Sequence, residues 1–202
     1  MKKILKTYPV VITLSLTCLL LGLLTSFCGD AMYDLLAFHS KPVYTWQYVS
    51  GTLMHGSKGA PIWFLWVHLL LNGLMILPFG GLLERKRGSR QVLIVFVTAT
   101  VLSSIVFHLL TQGQDIQATG ISAVGYAFVT GGVMLLPNVW KEFSLSVKLF
   151  YLFLVFLSGL MLLPAITGWI STWLHLSGIA SYLLVFIGSK SLKKAPTNEA
   201  GS

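Results

Sequence analysis

Charged side chains are scarce in this chain of 202 residues: they make up 10% of it and only six are acidic, while 55% of its residues are hydrophobic. That share excludes an ordinary water-soluble domain, in which about a quarter of the residues are charged. Cysteine is almost missing as well. Cys18 and Cys28 stand ten positions apart, roughly 15 Å along a single helix, too far to bridge. They exclude a disulfide framework and say nothing about redox compartment. No repeat or low-complexity tract and no second soluble domain breaks the pattern. One membrane domain over residues 9–189 is expected, between a short tail at 1–8 and a disordered tail at 190–202.

What the chain has instead is a set of long apolar runs, with a mean hydropathy of +0.80. A helix needs about 20 apolar residues to cross a bilayer, and six such segments can be read: Pro9 to Phe27, Ile62 to Leu83, Val92 to Thr111, Gly120 to Leu136, Leu149 to Leu163 and Trp169 to Ser189. The fold class is therefore all-α, a polytopic bundle of six transmembrane helices in a lipid bilayer. The start, "MKKILKTYPVVITLSL", has the basic-then-apolar look of a secretory leader. Phe27 fits poorly as the residue before a cleavage site, so the first helix is expected to stay.

The net charge of +8 could suggest nucleic acid, but its distribution argues against that partner. Lys2, Lys3, Lys6, Arg85, Lys86, Arg87, Arg90, Lys141, Lys148, Lys190, Lys193 and Lys194 all fall on one side of the six-span scheme; only Lys41 and Lys58 fall on the other. Lys and Arg concentrate on the cytoplasmic side of membrane proteins. Both termini are thus expected in the cytoplasm, with the long 28–61 connection outside. That connection is rich in aromatic residues (Tyr44, Trp46, Tyr48), as expected of a segment seated at the headgroup level.

Polar side chains inside hydrocarbon are costly and therefore functional candidates. The second span carries His68 and Asn72, the fourth opens with Gly120 and Ser122, and the sixth carries His175. All three spans enter from the outer side, and 1.5 Å of rise per residue places the four side chains within roughly 15 Å of the outer boundary. A serine and a histidine at one depth can serve as nucleophile and general base. The six acids, Asp30, Asp34, Glu84, Asp115, Glu142 and Glu199, all lie outside the spans or at their ends, so a hydrolase here would work with a dyad. Tyr126, one turn below Ser122, would support His175. His68 and Asn72 share a helix face and, with the backbone N–H of Ser122, suit an oxyanion. Gly120 would allow close approach.

Each residue also has a plainer reading. Ser122 alone fits a packing residue, and His68 with Asn72 fits a hydrogen bond between helices. His108 has no matching partner and reads as structural; His39 and His55, in the outer loop, carry no signal. A metal site from His68, His108 and His175 lacks the usual carboxylate or close spacing. A transporter would call for paired broken helices around a midplane site, whereas this polar layer is shallow and one-sided.

Taken together, the motifs resemble those of the rhomboid intramembrane serine proteases of the bacterial six-span type. "HLLLN" (His68 to Asn72), "GISA" (Gly120 to Ala123) and "HLSG" (His175 to Gly178) follow the family's order on the matching spans, and "GGLLERKRGS" resembles its turn after the second span. The resemblance implies a rhomboid-like bundle that hydrolyses peptide bonds in or near the transmembrane segments of membrane-protein substrates. It implies Ser122 and His175 as the dyad, His68, Asn72 and Ser122 at the oxyanion, and Gly120, Tyr126 and Gly178 in support. No cofactor and no metal is implied. The expected location is the cell's inner membrane, with the site opening to the outer or periplasmic side. The alternative is an inactive rhomboid-like protein that binds membrane clients; such relatives commonly lose the serine and histidine together. Three positions depart from the family pattern: Ala123 follows the nucleophile, Gln47 follows Trp46 where arginine is frequent, and Tyr182 stands where a second glycine is common. The loop between Met54 and His68 is also longer than in compact members.

Overall fold

A computed structural model of the chain describes residues 7–42 and 44–194. Most of the 1–8 tail and the end of the 190–202 tail lie outside the described residues. The helices are α1 (Pro9–Cys28), α2 (Ala31–Leu36), α3 (Gln47–Leu53), α4 (Ile62–Arg87), α5 (Ser89–Leu110), α6 (Ser122–Val139), α7 (Leu145–Leu160), α8 (Pro164–Thr167) and α9 (Trp169–Lys194). α1, α4, α5, α6 and α9 are long and apolar enough to cross a membrane, and α7 is a shorter apolar helix of 16 residues. The protein is a multi-pass helical membrane bundle. α9 runs to Lys194, five residues into the stretch read as a disordered tail.

α6 is the central element. Ala123, Val124, Gly125, Tyr126, Ala127, Phe128 and Val129 are all buried in succession, so the helix has no face given over to lipid along that stretch. Within α4 one π-helical turn, Ile76–Gly80, carries Pro78. A wider turn is a common accommodation for a residue that cannot donate to the ladder. Tyr151 of α7 donates to the Pro78 carbonyl at 3.1 Å.

Small residues let α6 and α9 approach closely, as is common between helices in lipid. A Cβ on Gly178 would overlap the carbonyl oxygen of Ala123 and lie 2.8 Å from its carbon. Further along the pair, Tyr182 is 2% exposed, and a Cβ on Gly131 would lie 2.8 Å from its Cζ. The bulk of Tyr182 is thus met by a glycine on the facing helix. The close approach survives with the large and small partners on opposite sides.

The start of α1 is held by an acid from another span. Glu84, 3% exposed, accepts the Val10 N–H at Oε1 and the Val11 N–H at Oε2, both at 3.0 Å. Helix N-termini leave such donors unpaired, and Pro9 at the first position removes one more. Glu84→Ala should lower stability by about 2–4 kcal/mol, the loss of two hydrogen bonds to a buried carboxylate. Thermal unfolding in detergent measures this, with Glu84→Gln expected to fall between alanine and wild type. An unchanged midpoint for Glu84→Ala would contradict it.

The connection between α1 and α4 is more ordered than its length suggests. Phe38–His39 and Gln117–Ala118 form a two-stranded antiparallel ladder with Phe38 opposite Ala118. Lys58 pairs with Asp34 at 2.6 Å, and its hydrogen bond holds the Asp34 carboxyl below its ordinary range. Gln47 ties this connection together by hydrogen bonds of its own. It is fully buried, donates to the Asp34 carbonyl at 2.9 Å and accepts from the Tyr44 N–H at 3.2 Å.

Candidate active site

A cavity of about 540 Å³ opens at the end of the bundle that carries the α1–α4 connection, and Ser122, His175, His68, Asn72, Gly120 and Tyr126 all line it. Every sequence-predicted site residue except Gly178 is on its wall, and Gly178 sits just behind, against Ala123. No acidic residue is among the lining residues.

Ser122 is the first residue of α6, so the helix begins two positions later than the expected start at Gly120. Gly120 lies ahead of the helix with φ +122, a conformation in which an L side chain would be strained. Its N–H donates to the Gly51 carbonyl at 3.1 Å, and a Cβ there would lie 2.9 Å from both Cε1 and Nε2 of His68. Position 120 therefore serves twice, as the turn into α6 and as the gap that admits the His68 ring. The N–H groups of the first turn, Ser122's included, have no carbonyl one turn earlier to bond and remain available as donors.

His175 is 6% exposed. Its Nδ1 lies 3.1 Å from the Met161 carbonyl, so the neutral ring carries its proton at Nδ1 and keeps the Nε2 lone pair. A backbone carbonyl thus does what a carboxylate does in a triad, fixing tautomer and orientation. The Tyr126 ring stacks on His175 with centroids 4.3 Å apart and planes 23° apart, and its hydroxyl donates to the Ser158 carbonyl on α7 at 2.6 Å. Three helices thereby hold one imidazole.

His68 has the complementary tautomer. The Gly56 N–H donates to its Nδ1 at 3.3 Å, which leaves the proton on Nε2, the nitrogen beside Gly120. Asn72, one turn along α4, is 2% exposed with Nδ2 unpartnered. Two side-chain donors thus accompany the serine around the cavity. Thr119 Oγ1 donates to the Gly56 carbonyl, so the loop that grips His68 also grips the segment before Ser122.

His108 is exposed on α5 and does not line the cavity. No group of three or more His, Cys, Asp or Glu is arranged to hold a metal ion among the described residues. His55, to which the sequence reading assigned nothing, is 1% exposed and packs against His68. The two histidines stand thirteen positions apart, one in the α3–α4 loop and one in α4, with no helical spacing to reveal their contact.

A model of the Rhomboid domain matches residues 43–191. Over 126 residues the chain is 30% identical to the Rhomboid protease GlpG of Haemophilus influenzae, an overlap of 58% of this chain and 62% of that relative. The chain thus spans about three-fifths of the length of the curated relative it matches.

Proposed function

The chain belongs to the rhomboid family, and from that premise we propose that it is an intramembrane serine endopeptidase that cuts in or near the transmembrane segments of membrane-protein substrates. The observation that carries the reading is the placement of Ser122 in one cavity with His175, whose Nδ1 is committed to the Met161 carbonyl. The other nitrogen, Nε2, is then free to accept the hydroxyl proton.

In this mechanism Ser122 Oγ attacks the scissile carbonyl as its proton passes to His175 Nε2, and the same proton then goes to the leaving amine. Water hydrolyses the acyl-enzyme by the reverse route. Charge on the carbonyl oxygen is met by His68 Nε2–H, Asn72 Nδ2–H and the Ser122 N–H, donors that matter most once that charge has developed. Substrates need helix-weakening residues near the cut, because backbone groups freed from a helix cannot stay unpaired in lipid. Comparing membrane proteomes with and without the active protein, and sequencing released ectodomains, tests the activity and identifies substrates together. No difference in released fragments would count against it.

His68→Ala or Asn72→Ala should lower kcat roughly 10²-fold with little change in KM, because oxyanion donors act in the transition state. Steady-state cleavage of a transmembrane reporter in proteoliposomes separates the two constants. Unchanged kcat with a lowered unfolding midpoint would return the pair to a packing role.

The proposed orientation has the cavity opening at the outer, periplasmic face of the inner membrane with both termini cytoplasmic; its support is that twelve of the fourteen basic residues fall on the opposite side of the six-span scheme. Compartment reporters fused at Lys58 and Lys194 are expected to read opposite sides, and matching readings would overturn this orientation.

A further inference from the structure

A second cavity of about 630 Å³ lies between α1 and α4, and its walls are those of a hydrocarbon site, with Leu16 and Leu19 on one side and Leu70 and Leu77 on the other. No acidic residue lines it. The hydroxyl of Ser15, also on its wall, is already satisfied, because it donates back to the Val11 carbonyl at 2.9 Å. Leu16, Leu70 and Leu77 are exposed, so the cavity opens sideways, where a bilayer covers the bundle.

Its shape selects among apolar occupants. From Trp66 to Pro78 the α4 wall rises about 18 Å, close to the hydrocarbon depth of one leaflet, about 15 Å. The two helices are pinned together beyond both ends of the gap. Toward the α1–α4 connection, a Cβ on Gly22 would lie 3.4 Å from the side chains of Leu65 and Leu69; toward the other end, Glu84 holds the Val10 and Val11 N–H groups. A spanning helix needs the whole hydrocarbon thickness, about 30 Å, and does not fit a gap closed above and below. A single acyl chain does.

His55, in the loop between α3 and α4, is also on the wall and is 1% exposed. Its Nδ1 lies 3.2 Å from the Leu53 carbonyl, and burial, reinforced by the neighbouring His68, lowers its pKa to about 3. The neutral ring therefore keeps a lone pair at Nε2, and that nitrogen has no hydrogen-bond partner in the protein. Lipid tails are as apolar as leucine, so a chain gains little by transfer alone. It gains contact with walls that otherwise face a void, and more if its head brings a donor to Nε2. With no carboxylate on the walls to hold an ammonium, the fitting donor is a hydroxyl.

We propose that this cavity binds one acyl chain of a glycerolipid, with a free hydroxyl of the lipid head donating to His55 Nε2. The inference goes beyond the protease reading and stands or falls without it.

The test uses the full chain in phosphatidylcholine vesicles, whose heads carry no hydroxyl, doped with a diacylglycerol that bears a diazirine in the middle of one chain. After irradiation, peptide mass spectrometry should find adducts on Leu19 and Leu70 roughly tenfold above those on Val97 and Val101, which are half exposed on α5 and line neither cavity. Acetylating the hydroxyl of the probe should lower that excess roughly fivefold, the scale of one hydrogen bond. In His55→Phe the two probes should label alike. Gly73 is on the cavity wall, and a Cβ there meets nothing within 4 Å. Gly73→Phe should therefore fill the cavity and lower the Leu19 and Leu70 adducts roughly tenfold, with the α5 adducts and the unfolding midpoint held. If that variant fails to fold, Gly73→Leu makes the same comparison. Adducts that follow exposure alone, equal labelling of wild type by the two probes, a difference between them that persists in His55→Phe, or undiminished labelling of a folded Gly73→Phe would each overturn the proposal. None of these outcomes depends on cleavage, so a protein that cuts no substrate would overturn the protease reading and leave this one to its own result.

Discussion

Ser122→Ala should lower cleavage of a transmembrane substrate on the order of 10⁴-fold or more, and His175→Ala should come close to it. Nucleophile and base act as a unit, so either loss removes nearly everything the pair contributes. The residual rate would come from the oxyanion donors and binding, which both variants keep. The arrangement argues for this size of effect, because no carboxylate lines the cavity and His175, with its Nδ1 committed to the Met161 carbonyl, is left with Nε2 to take the proton. Asp115→Asn, at an exposed loop position, serves as the control and should leave the rate within about twofold of wild type. Cleavage assays of folded variants in proteoliposomes decide the matter.

Gly178→Val should bring cleavage down about 10³-fold or more, although position 178 does not line the cavity. A Cβ at that position overlaps the Ala123 carbonyl oxygen and lies 3.1 Å from the Ala123 Cα, so α6 and α9 would have to part by about 1 Å or more, a displacement worth about 10²-fold by itself, before the two further methyl groups are accommodated. Ala123 adjoins Ser122, and Gly178 lies three residues after His175. The displacement is therefore delivered directly to the proposed dyad. Overpacking should also cost about 1–3 kcal/mol of stability. Gly188→Val on the same helix, where an added Cβ meets nothing within 4 Å, is the control and should keep both rate and midpoint. Equal behaviour of the two glycine variants would show that the α6–α9 contact does not set the dyad.

Much of this was legible because a bilayer imposes simple rules. Span length, charge asymmetry and the cost of polar groups in lipid are enough to pick out the helices and the layer holding Ser122, His68, Asn72 and His175. What escaped depended on facing partners. Tyr182 looked like an obstacle to helix approach, since nothing in the sequence pairs it with Gly131. Glu84 read as an acid at the end of a span, while its carboxylate actually closes the first turn of another helix. Gly120 was assigned to the fourth helix on hydropathy, yet its positive φ puts the helix start at Ser122. His55 was passed over because the loop that brings it to His68 has no periodicity to read.

The most direct test of the central claim is labelling of the purified wild-type protein in detergent with a serine-directed fluorophosphonate, followed by peptide mass spectrometry. The expected result is one adduct, on Ser122, absent from Ser122→Ala and sharply reduced in His175→Ala. An adduct on a different serine with Ser122 unmodified, or labelling undiminished in His175→Ala, would contradict the dyad and leave Ser122 as a packing residue at the start of α6.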